Sequence, residues 1–499
     1  MQRVRRGYRE TVYCSVTSTY PLPVRRCGLN LPMLLSFIAL YLLSNIAVGA
    51  WAARRVTTSQ DFVLAGRRLP LVLAASVTFA TWFGSETIMG APAMFVKGGI
   101  PAVIEEPFGS ALCLFLVGAF FARPLYRLRI TTFCDYFRIR FGRSAELLSA
   151  VLTIPSYFGW IAAQFIAIGI VLNVVTGISR EYCILFSAGV VMVYTLLGGM
   201  WSISITDFFH NLIIILALVV IAVILWKEVG GWEPVYRQTP AGFFRFLPQA
   251  TFKDWIVYLS AWMTIGLGSI PQQDIFQRVM AAKTENTSVR ASYVASGLYL
   301  TVAMLPLFIA LSARILHPNL GNDNQLIIPN MVMQYGSLPL QVLFFGAVTS
   351  AILSVSSGAI LAPAAVFGQN IMKFSRPDIS DRALLKTIRW AVVVITLCSV
   401  WMSIGRNTNI FDLVGESSAF SLVSLFVPLT AGIYWKRANL TGCLWSMSLG
   451  LVTWLLCLWL DTEYPPMMWG LLASTVGMMA GSLLTQNSVA QSAQRSPST

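Results

Sequence analysis

Thr81-Trp82-Phe83-Gly84-Ser85-Glu86 interrupts an apolar run from Leu69 to Phe95, and Gly266-Leu267-Gly268-Ser269-Ile270-Pro271 interrupts a second run from Trp255 to Phe276. In hydrocarbon every backbone N–H and C=O must find a partner. Unwound chain at membrane depth therefore survives only where it is buried in protein or lines a cavity. A pair of broken helices, one in each half of a hydrophobic chain, points to a secondary transporter built on an inverted repeat. The freed carbonyls suit a cation, and the half-helix ends suit the polar groups of a solute.

The rest of the chain is consistent with a membrane setting. Of 499 residues, 56% are hydrophobic and 11% charged, against about 25% charged in soluble proteins. A spanning helix needs about 20 apolar residues. On that basis the spans fall near 33–53, 70–96, 103–124, 145–176, 181–200, 204–227, 254–277, 289–316, 339–371, 385–405, 410–435, 438–460 and 466–485. The expected fold is an all-α polytopic membrane protein of about thirteen transmembrane helices, with a five-plus-five inverted repeat and two discontinuous helices. The repeats cover about 69–227 and 254–436 and run in opposite orientation, within a transporter domain of 33–485. The loop at 228–253 has room for an interfacial helix. Trp51, Trp226, Trp454 and Trp469 are placed as interface anchors.

The net charge of +14 reads as topology and not as a nucleic-acid surface. Lys and Arg concentrate in alternate loops, including Arg67-Arg68, Arg123 to Arg143, Arg278 to Arg290 and Lys373 to Arg389. The positive-inside rule puts those loops and the C-terminal tail, 486–499, in the cytoplasm of an inner-membrane protein. Arg3, Arg5, Arg6, Arg9, Arg25 and Arg26 lie on the wrong side for that rule. The 1–32 segment is thus read as a disordered extension or as a mis-set start ahead of Met33, with the second favoured. The eight cysteines are scattered and the two histidines isolated. Their spacing suggests no metal site, and no cofactor and no enzymatic constellation is expected.

Four stretches then become informative together: Ala80-Thr-Trp-Phe-Gly-Ser-Glu-Thr-Ile-Met-Gly90, Gly198-Gly-Met-Trp-Ser-Ile-Ser-Ile-Thr-Asp207, Ile270-Pro-Gln-Gln-Asp-Ile-Phe-Gln-Arg278 with Ala281-Ala-Lys283, and Ser350-Ala-Ile-Leu-Ser354. In this order they resemble the sodium:solute symporter family, over about residues 33–485. The resemblance implies a leucine-transporter-type core working by alternating access, with sodium as the co-transported ion. It implies a sodium site made by the carbonyls of Ala80, Phe83 and Ala351 and the hydroxyl of Ser354. The family's usual second hydroxyl falls on Val355. Ser357, one turn from Ser354 on nearly the same face, is the candidate substitute. Asp207 is the candidate for an inner cation path, or else a helix cap with Thr206. Trp82 stands where proline members carry aspartate and sugar members asparagine, so neither substrate is copied across.

Charged residues in spans are costly and usually face a cavity or a partner. Glu86 has the clearest case as solute ligand, coupling group or gate. Trp82, Glu106, Gln272 and Gln273 complete the candidate solute site, with a solvated role for Glu106 and a backbone-satisfying role for the glutamines left open. Tyr157, Trp160 and Gln164 share a helix face, which reads as packing before binding. The sequence therefore points to sodium-driven uptake of a small polar organic solute. A proton-coupled or uncoupled transporter of the same fold is the first rival, which Val355 keeps open. A transporter-like sensory module is the second.

Overall fold

The computed structural model describes residues 58–249, 251–318, 323–404 and 409–494, with isolated positions between 36 and 54. The expected 1–32 extension and two thirds of the 33–53 span lie outside the described residues. Nine helices among the described residues are long and apolar enough to cross a membrane. In chain order the elements are α1 (Leu71–Ala80) and α2 (Ala91–Gly98), the arms of the first broken helix, then α3 (Ile100–Arg127), α4 (Phe133–Phe141) and α5 (Arg143–Thr176). They continue with α6 (180–198) and α7 (Gly199–Val229). The arms of the second broken helix are α8 (Phe252–Gly268) and α9 (Gln273–Ala281). The chain then runs through α10 (Glu285–Leu316), α11 (Leu338–Ser375), α12 (Asp381–Ser403), α13 (Ile410–Tyr434), α14 (Leu440–Trp459) and α15 (Pro466–Gln494).

The two broken helices run antiparallel. At one face Leu69, just before α1, pairs with Ala282, just after α9. Leu69 N donates to Ala281 O at 3.0 Å and Lys283 N donates to Leu69 O at 2.9 Å. At the opposite face, Ile100 N after α2 donates to Phe243 O ahead of α8 at 2.9 Å. The first face also carries Arg67, whose Nη2 donates to Ile130 O at 2.7 Å, and the exposed Arg127–Glu285 ion pair. It is called the basic face below.

Several boundaries differ from the sequence reading. The expected spans 181–200 and 204–227 meet at a single residue, Gly199, whose φ of +52° breaks the helix without a linker. Only glycine fits there, since a Cβ would lie 2.5 Å from Phe62 O. Asp207 is consequently two turns inside α7, not at a helix start. Thr206 donates back to Ser202 O at 2.9 Å and caps nothing. The helix in the 228–253 loop is present as Trp232–Gln238. Of the four tryptophans placed as interface anchors, Trp454 is instead buried, edge-on to Phe420.

A polar cluster on the basic-face side fixes α4. Thr132 and Asp135 form a capping box at its start. Asn370, in the last turns of α11, donates to Asp135 Oδ1 at 3.0 Å and to Glu146 Oε1 at 2.9 Å, and accepts from the Thr132 hydroxyl at 2.7 Å. Arg138 lies 3.4 Å from Asp135 and 3.6 Å from Glu146. Fully partnered buried polar groups of this kind fix one arrangement of the elements that carry them.

Candidate functional site

The first break is shorter than the sequence suggested. Residues Thr81 to Gly84 leave the helix, while Glu86–Gly90 resume it as a wider π turn. Gly84 N donates to Trp82 O at 2.7 Å. The Thr81 and Thr78 hydroxyls turn back onto the carbonyls of Val77 and Ala74. The Phe83 ring stacks on Phe79 at 4.5 Å and meets Tyr299 of α10 edge-on, which anchors the break on its apolar side. In the second break Gly266 to Gly268 remain helical and the chain opens only from Ser269 to Gln272. Gly268 permits contact with α13 there, since a Cβ would lie 2.4 Å from Ser418 O.

Between the two breaks lies a cavity of about 10 Å³, room for about one water molecule. Trp82 and Glu86 line it from the first break, Ser269 and Gln272 from the second, Trp160 from α5, and Ser417 and Ser418 from α13. Glu86 is 2% exposed, Trp82 and Trp160 each 3%. Glu86 Oε1 and Trp160 Nε1 are buried without a hydrogen-bond partner. The hydroxyls are already committed: Ser417 donates to Leu413 O at 3.0 Å, and Ser269 and Ser418 lie 3.1 Å apart. A separate cavity of about 590 Å³ at the opposite face is bordered by Lys97, Arg245, Lys253, Arg314 and Asp254 and shares no wall with this one.

The other expected solute residues are distributed around the cavity. Glu106 is fully buried and accepts from Thr87 at 2.5 Å and from Ser110, which ties α3 to the first broken helix. It is not solvated at an interface. Gln272 faces the cavity, but Gln273 faces the other way, its Oε1 accepting from Phe133 N of α4 at 2.6 Å. Gln272 is the extended residue just ahead of α9 and Gln273 its first helical residue, so one glutamine of the pair serves the site and the other the basic-face cluster. Asp274 sits at the start of α9. Tyr157 donates to its Oδ1 at 2.6 Å and accepts from its N–H at 3.0 Å. Arg278 Nη1 donates to Asp274 O at 3.1 Å.

α11 meets the first break at Val355, next in sequence to the expected cation residue Ser354. A Cβ on Gly84 would lie 3.4 Å from Val355 Cγ2, so the valine side chain packs directly against the break. Ala80, Phe83, Ala351 and Ser354 are buried. The Ser354 hydroxyl has no hydrogen-bond partner, and the Asp207 carboxyl and Tyr194 hydroxyl lie close to it. Ser357 faces α6 instead, its hydroxyl 2.8 Å from that of Thr195. The sequence reading gave Trp160 to packing and passed over Ser269, Ser417 and Ser418. Serines in apolar helices carry no signal of which face they occupy until the neighbouring helices are known.

Two antiparallel broken helices around a buried polar cavity define a secondary transporter. The model for the sodium:solute symporter family matches residues 62–450, and the chain belongs to that family. It is similar to the high-affinity choline transporter 1 of Drosophila melanogaster, 28% identical over 82% of this chain and 68% of the relative. It is similar also to the osmoregulated proline transporter OpuE of Bacillus subtilis, 27% identical over 85% of this chain and 88% of the relative. Among solved structures, a Na+-coupled sialic acid symporter in a substrate-bound outward-open state shares the fold, with a TM-score of 0.79 and 19% identity over 91% of this chain and 97% of that one. Relatives of these kinds are transporters, and this chain is a multi-pass membrane transporter, not an enzyme.

Proposed function

We propose that the protein is a symporter that couples inward sodium movement to uptake of a small polar organic solute across the cell's plasma (inner) membrane. The fold is read as thirteen spans over 33–485, with five-helix inverted repeats at about 69–227 and 254–436 and a cytoplasmic tail at 486–499. The basic face is then cytoplasmic. Sodium would lie among the carbonyls of Ala80, Phe83 and Ala351 and the Ser354 hydroxyl, with Asp207 on its path inward. Val355 narrows this set, and Ser357 would support Ser354 from the α6 side. The solute would lie between Trp82, Glu86 and Gln272, with Glu106 and Gln273 bracing the two breaks.

The observation that supports the reading is the Ser354 hydroxyl, buried without a hydrogen-bond partner beside the Asp207 carboxyl and one residue from the Val355 that packs on Gly84. A buried polar oxygen without a partner is costly, and a cation is the partner this geometry suits. A ligand that binds only the folded state raises its melting temperature. The purified protein should therefore melt higher in sodium chloride than in potassium chloride of equal strength. Ser354→Ala should need at least about tenfold more sodium for the same shift. Val355→Ser, which adds an oxygen beside the break, should need less than wild type. Equal melting of wild type in both salts, with a pH gradient alone driving uptake, would establish the proton-coupled rival.

A further inference from the structure

The transport reading leaves the charge of the solute open, and the central cavity carries that question further. Among the residues lining it, Glu86 is the one ionisable side chain, and no Lys, Arg or His contributes to the wall. The charged groups acting on Glu86 are Glu106 and Glu105, of its own sign. Glu106 already accepts from Thr87 and Ser110 and offers Glu86 nothing. A carboxylate taken out of water is costly unless it is paired and hydrogen-bonded. No side chain in this wall supplies that partner, and a cationic solute can.

Three further features narrow what that partner is. Trp82 and Trp160 both border the cavity, and indole rings attract a cation over their faces. Ser417 spends its proton on Leu413 O, and one of Ser269 and Ser418 spends its proton on the other, so two of the three hydroxyls present only lone pairs to the cavity and suit a solute that donates. The third feature concerns the start of α9, where a half-helix N-terminus would ordinarily receive a solute carboxylate. Here that place is held by the chain's own Asp274, whose N–H is taken by the Tyr157 oxygen. A zwitterion would bring a second negative charge against Asp274 with no cationic side chain in the cavity wall to receive it.

Resting on the transport reading, we infer that the solute is a small amine cation bearing at least one N–H and no carboxylate. Its ammonium N–H would bond Glu86 Oε1 beside Trp82 and Trp160, in a cavity that must widen from its present room for about one water to admit it. This differs from a quaternary ammonium, which aromatic faces alone can hold, and from an amino acid.

The test is a melting-temperature titration of the purified full chain in sodium chloride and in potassium chloride. The probes are ethanolamine, its N-methyl and N,N-dimethyl derivatives, choline and proline. Each methylation up to choline removes one N–H at nearly constant charge. The expected result is stabilisation by the first three amines, with choline and proline at least about tenfold weaker. Glu86→Gln should weaken ethanolamine by at least about tenfold, and Glu86→Asp should keep the order of the series. Should Glu86→Gln not fold, the wild-type series and Glu86→Asp still decide. Choline binding as tightly as ethanolamine, proline binding more tightly, or no response to any amine each overturns the inference. Amine binding that is equal in sodium and potassium leaves the solute assignment standing and removes the sodium coupling instead, so the two failures are distinct.

Discussion

Two buried polar regions lie within this fold, and they are built on opposite terms. Around Asn370 every group is answered. The amide donates to Asp135 and Glu146 and accepts from Thr132, while Asp135 Oδ2 also takes the N–H groups of Thr131 and Thr132 at 3.1 and 3.0 Å. In the central cavity, Glu86 Oε1 and Trp160 Nε1 are equally buried and answered by nothing. Burial is shared by the two regions, so burial does not mark a site. Satisfaction does: a closed polar cluster specifies structure, and an open one is complementary to something else.

The sharpest way to test that contrast is to damage both regions alike. Asn370→Ala removes two hydrogen bonds to buried carboxylates and leaves Asp135 and Glu146 with only Arg138 between them. It should cost about 3 kcal/mol of stability, read as a lower melting temperature of the purified protein. Glu86→Gln should act in the other direction. Replacing an unpartnered buried acid, whose burial costs stability whether it stays charged or takes up a proton, by a neutral isostere should stabilise the solute-free protein by about 1–2 kcal/mol while lowering solute affinity. A solute-free Glu86→Gln protein that melts well below wild type would mean that Glu86 is structural. Trp160→Phe keeps an aromatic face and drops an unpartnered N–H, so its melting should change by about 1 kcal/mol or less. The smallest effect is expected from Arg127→Ala at the exposed Arg127–Glu285 pair, where no change in melting should be measurable.

The broken helices and Glu86 were legible in the sequence because glycine and polar residues inside apolar runs violate the rules of hydrocarbon. The all-helical character followed from run length alone. Other features depend on what a residue faces, and a single strand of sequence does not carry that. Gln272 and Gln273 are chemically identical neighbours, yet the step from extended chain into helix sends the second to Phe133, 140 positions away. Asn370 and Asp135 are 235 residues apart and meet only once α11 is packed beside α4. Trp160 read as packing because a stripe such as Tyr157, Trp160 and Gln164 on a membrane helix is more often packing than binding. Its indole nitrogen became informative only when the break opposite was found to leave it unpartnered. The break limits shifted for a local reason: π turns at Glu86–Gly90 keep the backbone bonded where glycine and serine suggested loose chain.

The backbone pairing of Leu69 with Ala281 and Lys283 is two hydrogen bonds long, and it yokes the half-helices on the basic face. Neither α1 nor α9 can swing away from the centre without dragging its counterpart or shearing that pair. Opening the basic face by moving one half-helix alone therefore starts with the loss of two backbone hydrogen bonds, and moving the two as one unit keeps both.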